Sequence, residues 1–224
     1  MKDKADILLP GHSGCIIKKH FSDVLNKDVV IKKSSSIEYN LRLKEQMEKQ
    51  IAFFNDGYKV PEVYNFGFDC NGLFYFEMEY VSGINMNDYL KTMNATDIEQ
   101  FVESIIGFIK PEYSRASTEE YAKIRNIFID KVSSLKKRVP NYFLCDRRVK
   151  NAFRILENYD WSDFRESRCH GDLTLENVIV KDRDIFYIDF LDSFYNCWII
   201  DAAKILQDVY CLWFFHFPSE QLFP

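Results

Sequence analysis

With 224 residues, 47% of them hydrophobic, the chain can bury one sizeable core or two closely joined lobes, and its formal net charge of −5 argues against a general nucleic-acid binder. Six scattered cysteines (Cys15, Cys70, Cys145, Cys169, Cys197 and Cys211), with no Cys-x-x-Cys pair, argue against a zinc site, a thioredoxin-like motif and a disulfide framework. The amino terminus has no signal-like apolar region, and no apolar run approaches the roughly eighteen residues that span a bilayer, so the expected setting is the cytoplasm, away from membranes.

Ile7–Leu9 reads as a strand, followed by the turn Pro10-Gly11-His12-Ser13-Gly14 and a second strand, Cys15–Lys19. A glycine-containing turn between strands can bring backbone N–H groups close to phosphate oxygens, which makes Ser13 and Gly14 candidate contacts. Val29–Lys33 is a β-branched strand ending in two lysines; side chains alternate, so Lys32 and Lys33 face opposite ways. Ile37–Phe54 is a helix candidate preceded by three serines able to cap it. In projection Leu43, Met47, Ile51, Phe54, Ile37, Leu41 and Ala52 form one apolar arc, with Glu48 inside it and Glu45 just beyond its edge. A carboxylate on a core-facing stripe is costly unless it is paired, which favours Glu48 over Glu45 as a functional group. After Val60-Pro61, strands over Val63–Phe68 and Leu73–Tyr80 flank an Asn71-Gly72 hairpin turn.

Helices are expected over Asn87–Thr92, over Asp97–Lys110 with Pro111 closing it, over Glu119–Arg138 with a basic carboxyl end, and over Arg147–Tyr159. Next comes the stretch Cys169–Phe190, CHGDLTLENVIVKDRDIFYIDF. Two apolar runs, Val178–Val180 and Ile185–Ile188, flank the polar turn Lys181–Asp184 and predict a β-hairpin. Asp172 and Asn177 precede the first strand and Asp189 follows the second, so the hairpin's open end gathers two carboxylates and an amide oxygen. Such oxygen donors suit Mg²⁺, which takes one or two carboxylates together with substrate phosphates. Asp201 opens a further helix, Ala202–Leu212, and the chain ends in a dense aromatic run from Tyr210 to Phe217.

His-Gly-Asp, then Asn177 after four intervening residues, then Ile188-Asp189-Phe190, resembles the catalytic core of the aminoglycoside phosphotransferase and choline kinase superfamily. The resemblance implies an α+β, two-lobed, protein-kinase-like fold: a β-rich first lobe over residues 1–82 and a mostly helical second lobe over residues 83–224 that carries the catalytic hairpin. It implies that Asp172 accepts the proton of an acceptor hydroxyl, while Asn177 and Asp189 hold Mg²⁺ on the phosphates of ATP. Lys32 then bridges the nucleotide phosphates and a helix glutamate, Glu48 in preference to Glu45. The turn containing Ser13 and Gly14 covers the ATP phosphates, and the backbone near Glu79–Val81, within FEMEYVSG, meets adenine beside Met78. Asp201 braces the catalytic loop through backbone N–H groups or is a plain helix cap, His170 is structural, and Asp192 supports the site or merely turns the chain.

The implied activity is transfer of the ATP γ-phosphate to a hydroxyl of a small molecule: a sugar, an aminoglycoside or an amino alcohol. The rival is a nucleotide-binding pseudokinase or regulatory module working through a protein partner, although such a module has no need of Asp172. A protein substrate is disfavoured, because no Ala-Pro-Glu segment separates Phe190 from Asp201 and Thr174 stands where protein kinases usually carry a catalytic-loop lysine. Superfamily members continue with further helices beside the acceptor. The expectation here is therefore a minimal version, a fragment, or a chain that buries its aromatic end, Trp213 and Phe214 included, against another copy.

Overall fold

Strand β3 (Lys27–Ser34) is the middle strand of the first sheet in the computed structural model, which describes residues 6–9, 15–116, 121–161 and 164–212. β2 (Cys15–Ser22) and then β1 (Ile7–Leu8) lie on one side, β5 (Phe74–Glu79) and then β4 (Val63–Phe68) on the other, all antiparallel. In this register Val30 lies opposite Met78 and Lys32 opposite Phe76, so one sheet face carries Val30, Lys32, Phe76 and Met78. Helix α1 (Asn40–Asn55) covers that face, and Leu43 and Met47 pack with Val30, Phe74, Phe76 and Met78. Lys32 is thereby drawn into a hydrophobic wall, while Lys33 points the other way and pairs with Asp69.

Helix α1 begins three residues later than the periodicity predicts, and the serines do not supply its cap. Residues 36–39 form a turn in which Tyr39 N–H donates to the Ser36 carbonyl (3.2 Å). Asn40 starts the helix because its side chain is held by the β4–β5 hairpin: its amide nitrogen donates to Gly72 O (2.8 Å) and its oxygen accepts from Phe74 N–H (2.9 Å). The helix is also rotated from the expected arc. Ile37, Leu41 and Phe54 are exposed, while Gln46 and Gln50 are buried beside Leu43, Met47 and Phe53. Gln50 donates to Pro61 O (2.7 Å) and Gln46 to Asp192 (3.1 Å), so partners from other elements accept from both buried amide nitrogens, while the Gln46 side-chain oxygen is buried without a hydrogen bond among the described residues.

The second sheet is small: β6 (Ile84–Asn85), β7 (Val178–Lys181) and β8 (Asp184–Tyr187), again antiparallel. The β7–β8 turn is shorter than expected. Lys181 pairs with Asp184, leaving only Asp182 and Arg183 in the loop, both at positive φ (51° and 71°), the geometry that matches strand twist in a two-residue hairpin. Around this sheet lie α2 (Met86–Tyr89), α3 (Ala95–Ser114), α4 (Tyr121–Arg138), α5 (Asn141–Leu144), α6 (Arg147–Asn158) and α7 (Trp198–Cys211).

Asn94 and Asp97 form a reciprocal capping box at the start of α3. Pro111 does not close this helix, which runs one further turn to Ser114. That turn is held by buried Glu112, which accepts from Tyr58 Oη (3.0 Å), Arg115 (3.0 Å) and Arg168 (2.6 Å). The largest core joins the two parts of the molecule. Phe53 at the end of α1 stacks on Phe108 of α3 (centroids 5.1 Å apart, planes 8° apart) and meets Phe190 at 5.2 Å. A separate core under α4 and α6 contains Ile124, Phe128, Val132, Phe153 and Trp161.

Candidate active site

Helix α7 lies beneath the loop His170–Asn177 and presents Asp201, Lys204 and Asp208 to it, a spacing that keeps all three on one helical face. Asp201, 2% exposed, accepts from His170 N–H (2.7 Å) and Gly171 N–H (2.9 Å). Asp208, equally buried, accepts from Leu175 N–H (2.6 Å). Burial pushes the Asp201 carboxyl up to about 7, with the two N–H donors pulling the other way. Of the two roles open to Asp201, the brace is the one its hydrogen bonds show.

Gly171 takes φ +91°, and a Cβ there would run into the Leu191 carbonyl, so the tight bend before Asp172 requires glycine. His170 is fully buried against Phe190 (centroids 4.3 Å apart). One ring nitrogen, Nε2, lies 2.8 Å from Ile188 O and must donate, leaving Nδ1 to accept from Asp172 N–H (3.3 Å). Burial holds the ring at about 4, so it is a neutral structural histidine at pH 7.

Asp172 is partly exposed, with Lys204 Nζ 2.9 Å from Oδ1 and the Asn177 amide nitrogen 3.3 Å from Oδ2. The same nitrogen donates to Asp172 O (2.8 Å), so its carbonyl oxygen is the atom Asn177 has left for a cation. Ile188 N–H donates to Asn177 O (2.9 Å), which sets Asn177 beside the residue preceding Asp189. Asp189 adopts φ +61°, a strained conformation for a non-glycine residue, and its carboxylate pairs with Lys32.

Lys32, Asp172, Asn177 and Asp189 are thus linked around one locus between the two sheets. Glu48 is not part of it. Its side chain is 57% exposed and ion-pairs with Lys44 one turn away (3.7 Å), because α1 turns its amide positions, not its carboxylates, towards the interior. Glu45 is exposed as well. The carboxylate that meets Lys32 comes from the hairpin.

Glu79 ends β5, and its N–H already donates to Glu62 O (2.8 Å), so a base edge could use only its carbonyl; Val81, just beyond, is buried. A cavity of about 420 Å³ beside this segment is lined by Glu79, Tyr80 and Ser82 with Lys19, Lys27 and Lys181, and contains none of the four linked residues. Ser13 and Gly14 lie outside the described residues, as do Trp213 and Phe214.

Sequence reasoning missed the contacts that join α1 to the segment after Phe190. Arg42 and Gln46 donate to Asp192, and Lys49 Nζ donates to Leu191 O (2.7 Å) and Asn196 Oδ1 (3.1 Å). Asp192 therefore ties α1 to the segment after Phe190 instead of merely turning the chain. Lys204 was also missed, although Asp-x-x-Lys-x-x-x-Asp on one face of a helix was a readable signal.

Three comparisons bear on this arrangement. The family model described as "Phosphotransferase enzyme family" matches residues 26–223. Protein LicA of Haemophilus influenzae is 23% identical over 137 residues, covering 58% of this chain and 40% of that protein. The amicoumacin kinase hAmiN, solved with AMP-PNP and Ca²⁺, superposes over 96% of this chain and 66% of its own, with a TM-score of 0.60 and 15% identity. An aminoglycoside phosphotransferase from Streptomyces rimosus does so over 95% of this chain and 80% of its own, with a TM-score of 0.61 and 16% identity. At these identities the superpositions show the fold, which is α+β and kinase-like, with the sheet-rich part first and the helical part second. The chain spans less than two thirds of the length of LicA and 66% of that of the amicoumacin kinase.

Proposed function

This chain belongs to the phosphotransferase enzyme family, and we propose that it moves the γ-phosphoryl group of ATP to a hydroxyl of a small molecule in the cytoplasm. The acceptor classes in view are sugars, aminoglycosides and amino alcohols, and the names of its structural neighbours support an acceptor of that size. The observation that carries the reading is the linked set Asp172–Asn177–Asp189–Lys32, held on a loop whose backbone is braced by two buried carboxylates of α7.

In this reading Asp172 orients the acceptor hydroxyl and takes its proton as the oxygen attacks the γ-phosphorus. Lys32, buried, offers its ammonium to phosphate oxygens, where a charge-assisted contact is stronger than in water. Asn177 and Asp189 are the residues that would hold Mg²⁺, through one amide oxygen and one carboxylate. The donors fit that ion: all are oxygens, and among the described residues no cluster of three or more His, Cys, Asp or Glu could cage a metal alone. Remaining ligands would come from phosphates and water, as Mg²⁺ usually takes them, and the ion would neutralise phosphate charge. The segment Glu79–Val81 is the proposed adenine contact, Ser13 and Gly14 are the proposed phosphate cover, and the parts meet near residues 82–83.

The test is Mg²⁺-dependent ADP release from ATP across pooled hydroxyl-bearing metabolites, run beside Asp172→Asn. Release in one pool that the variant lacks supports the reading and begins to identify the acceptor. ATP–Mg²⁺ binding without turnover in any pool would favour the pseudokinase alternative, and absence of both binding and turnover would overturn the nucleotide assignment.

A further inference from the structure

Phosphoryl transfer spreads negative charge over the three non-bridging oxygens of the moving group, and catalysis depends on cations already in position there. Between His170 and Asn177 the catalytic loop holds no lysine or arginine, and Glu176 adds a negative charge. Lys32, paired with Asp189, serves the nucleotide phosphates in the reading above. The cation that reaches Asp172 comes from another element, α7: Lys204 Nζ lies 2.9 Å from Asp172 Oδ1.

The burial pattern separates Lys204 from its neighbours. Asp201 and Asp208 on the same helical face are 2% exposed and bind backbone N–H groups, a structural task. The Lys204 side chain is 37% exposed and Asp172 24% exposed, so this pair opens towards solvent, where an ion pair adds little to folding. The chemistry proposed for Asp172 calls for a positive charge beside it, and Lys204 places one there.

We propose that Lys204 is a catalytic residue that holds Asp172 before the reaction and donates to a non-bridging oxygen of the γ-phosphoryl group during transfer. The inference rests on the phosphotransferase reading. In that reading the acceptor oxygen would sit between Asp172 and phosphorus, which would bring an ammonium held on Asp172 next to the phosphoryl oxygens. As the bond from the acceptor oxygen to phosphorus forms, the acceptor proton passes to the Asp172 carboxylate. The bond from phosphorus to the β,γ-bridging oxygen breaks, and its electron pair leaves on ADP. Lys204 keeps its protons throughout and changes only its partner.

The test needs no knowledge of the acceptor. Calorimetry on the full chain measures affinity for Mg²⁺–ADP alone and for Mg²⁺–ADP with aluminium fluoride, an analogue of the moving phosphoryl group. Lys204→Met is expected to leave Mg²⁺–ADP affinity within about twofold of wild type and to weaken the fluoride complex at least about tenfold, with partial recovery in Lys204→Arg. The loss is also expected to persist when Lys204→Met is made on Asp172→Asn. Equal weakening of both ligands, no weakening of either, or disappearance of the loss in the Asp172→Asn background would overturn direct contact with the phosphoryl group. Failure of wild type to bind Mg²⁺–ADP at all would remove the phosphotransferase reading and this proposal with it.

Discussion

Replacement of Glu48 by alanine separates the helix pairing that kinase resemblance implies from the one the structure contains. The Glu48 side chain is 57% exposed, and its ion-pair partner is Lys44, one turn away at 3.7 Å. An exposed (i, i+4) pair contributes about 0.3–0.5 kcal/mol, and the better helix propensity of alanine offsets a few tenths of that. Glu48→Ala should therefore change unfolding free energy by less than about 0.5 kcal/mol and leave ATP–Mg²⁺ affinity unchanged. Lys32→Met is the contrasting variant. It removes a buried ammonium whose partner is Asp189, and it is expected to weaken ATP–Mg²⁺ binding at least about tenfold, or 1.4 kcal/mol. Urea unfolding and calorimetry on wild type and both variants measure these quantities. A tenfold loss of affinity in a well-folded Glu48→Ala protein would mean that α1 rotates on binding and forms the Lys32–Glu48 pair, which would refute the argument from burial.

Other perturbations test the bracing of the site. Gly171→Ala should destabilise the fold and abolish nucleotide-dependent stabilisation, since the new methyl meets the Leu191 carbonyl at a backbone angle that alanine adopts only with strain; thermal unfolding with and without ATP–Mg²⁺ checks this. Glu112→Ala removes the acceptor of Tyr58 Oη and one of the two carboxylate partners of Arg168, which keeps Asp56, and should cost about 1–3 kcal/mol in urea unfolding. Asp192→Ala removes the ion-pair partner of Arg42 and one of the two acceptors of the buried Gln46 amide nitrogen, which keeps Tyr39 Oη, with an expected loss of about 1 kcal/mol by the same measurement.

Two buried groups act in opposite directions on pH dependence. Asp201, pushed up to about 7 by burial, contributes stability that is full below its ordinary 3.8 and is lost as pH rises. His170, pushed down to about 4, contributes stability that is full above its ordinary 6.5 and is lost as pH falls. The slopes oppose one another across that window in wild type. In the double variant Asp201→Asn, Asp208→Asn the histidine acts without either carboxyl that burial raises, and acidification from 6.5 towards 4 should remove up to about 3 kcal/mol, measured by urea unfolding at stepped pH. A flat profile in that variant would contradict the assignment of His170 as neutral.

The sequence by itself determined the parts whose physics is local. The β7–β8 hairpin follows from two apolar runs around a charged turn, and it brings Asn177 close to Asp189 by pairing alone. Lys32 and Lys33 face opposite ways because strand side chains alternate, and Asn71-Gly72 turns β4 into β5 because glycine accepts φ +74°. The Asp201 brace was legible as one of two options, since its distance from the loop in sequence left the hydrogen bonds open.

Only the tertiary structure decided what depends on partners from elsewhere in the chain. Apolar periodicity set the interior face of α1 to include Glu48, yet Gln46 and Gln50 are buried there, where Asp192 and the Pro61 carbonyl accept from their amide nitrogens. Pro111 reads as a helix end until Tyr58, Arg115 and Arg168 gather on Glu112 and hold one more turn. The ion pairs Lys32–Asp189 and Lys204–Asp172 join residues from different elements. Side-chain spacing within one element shows which residues share a face, while the packing of elements sets which charge that face meets.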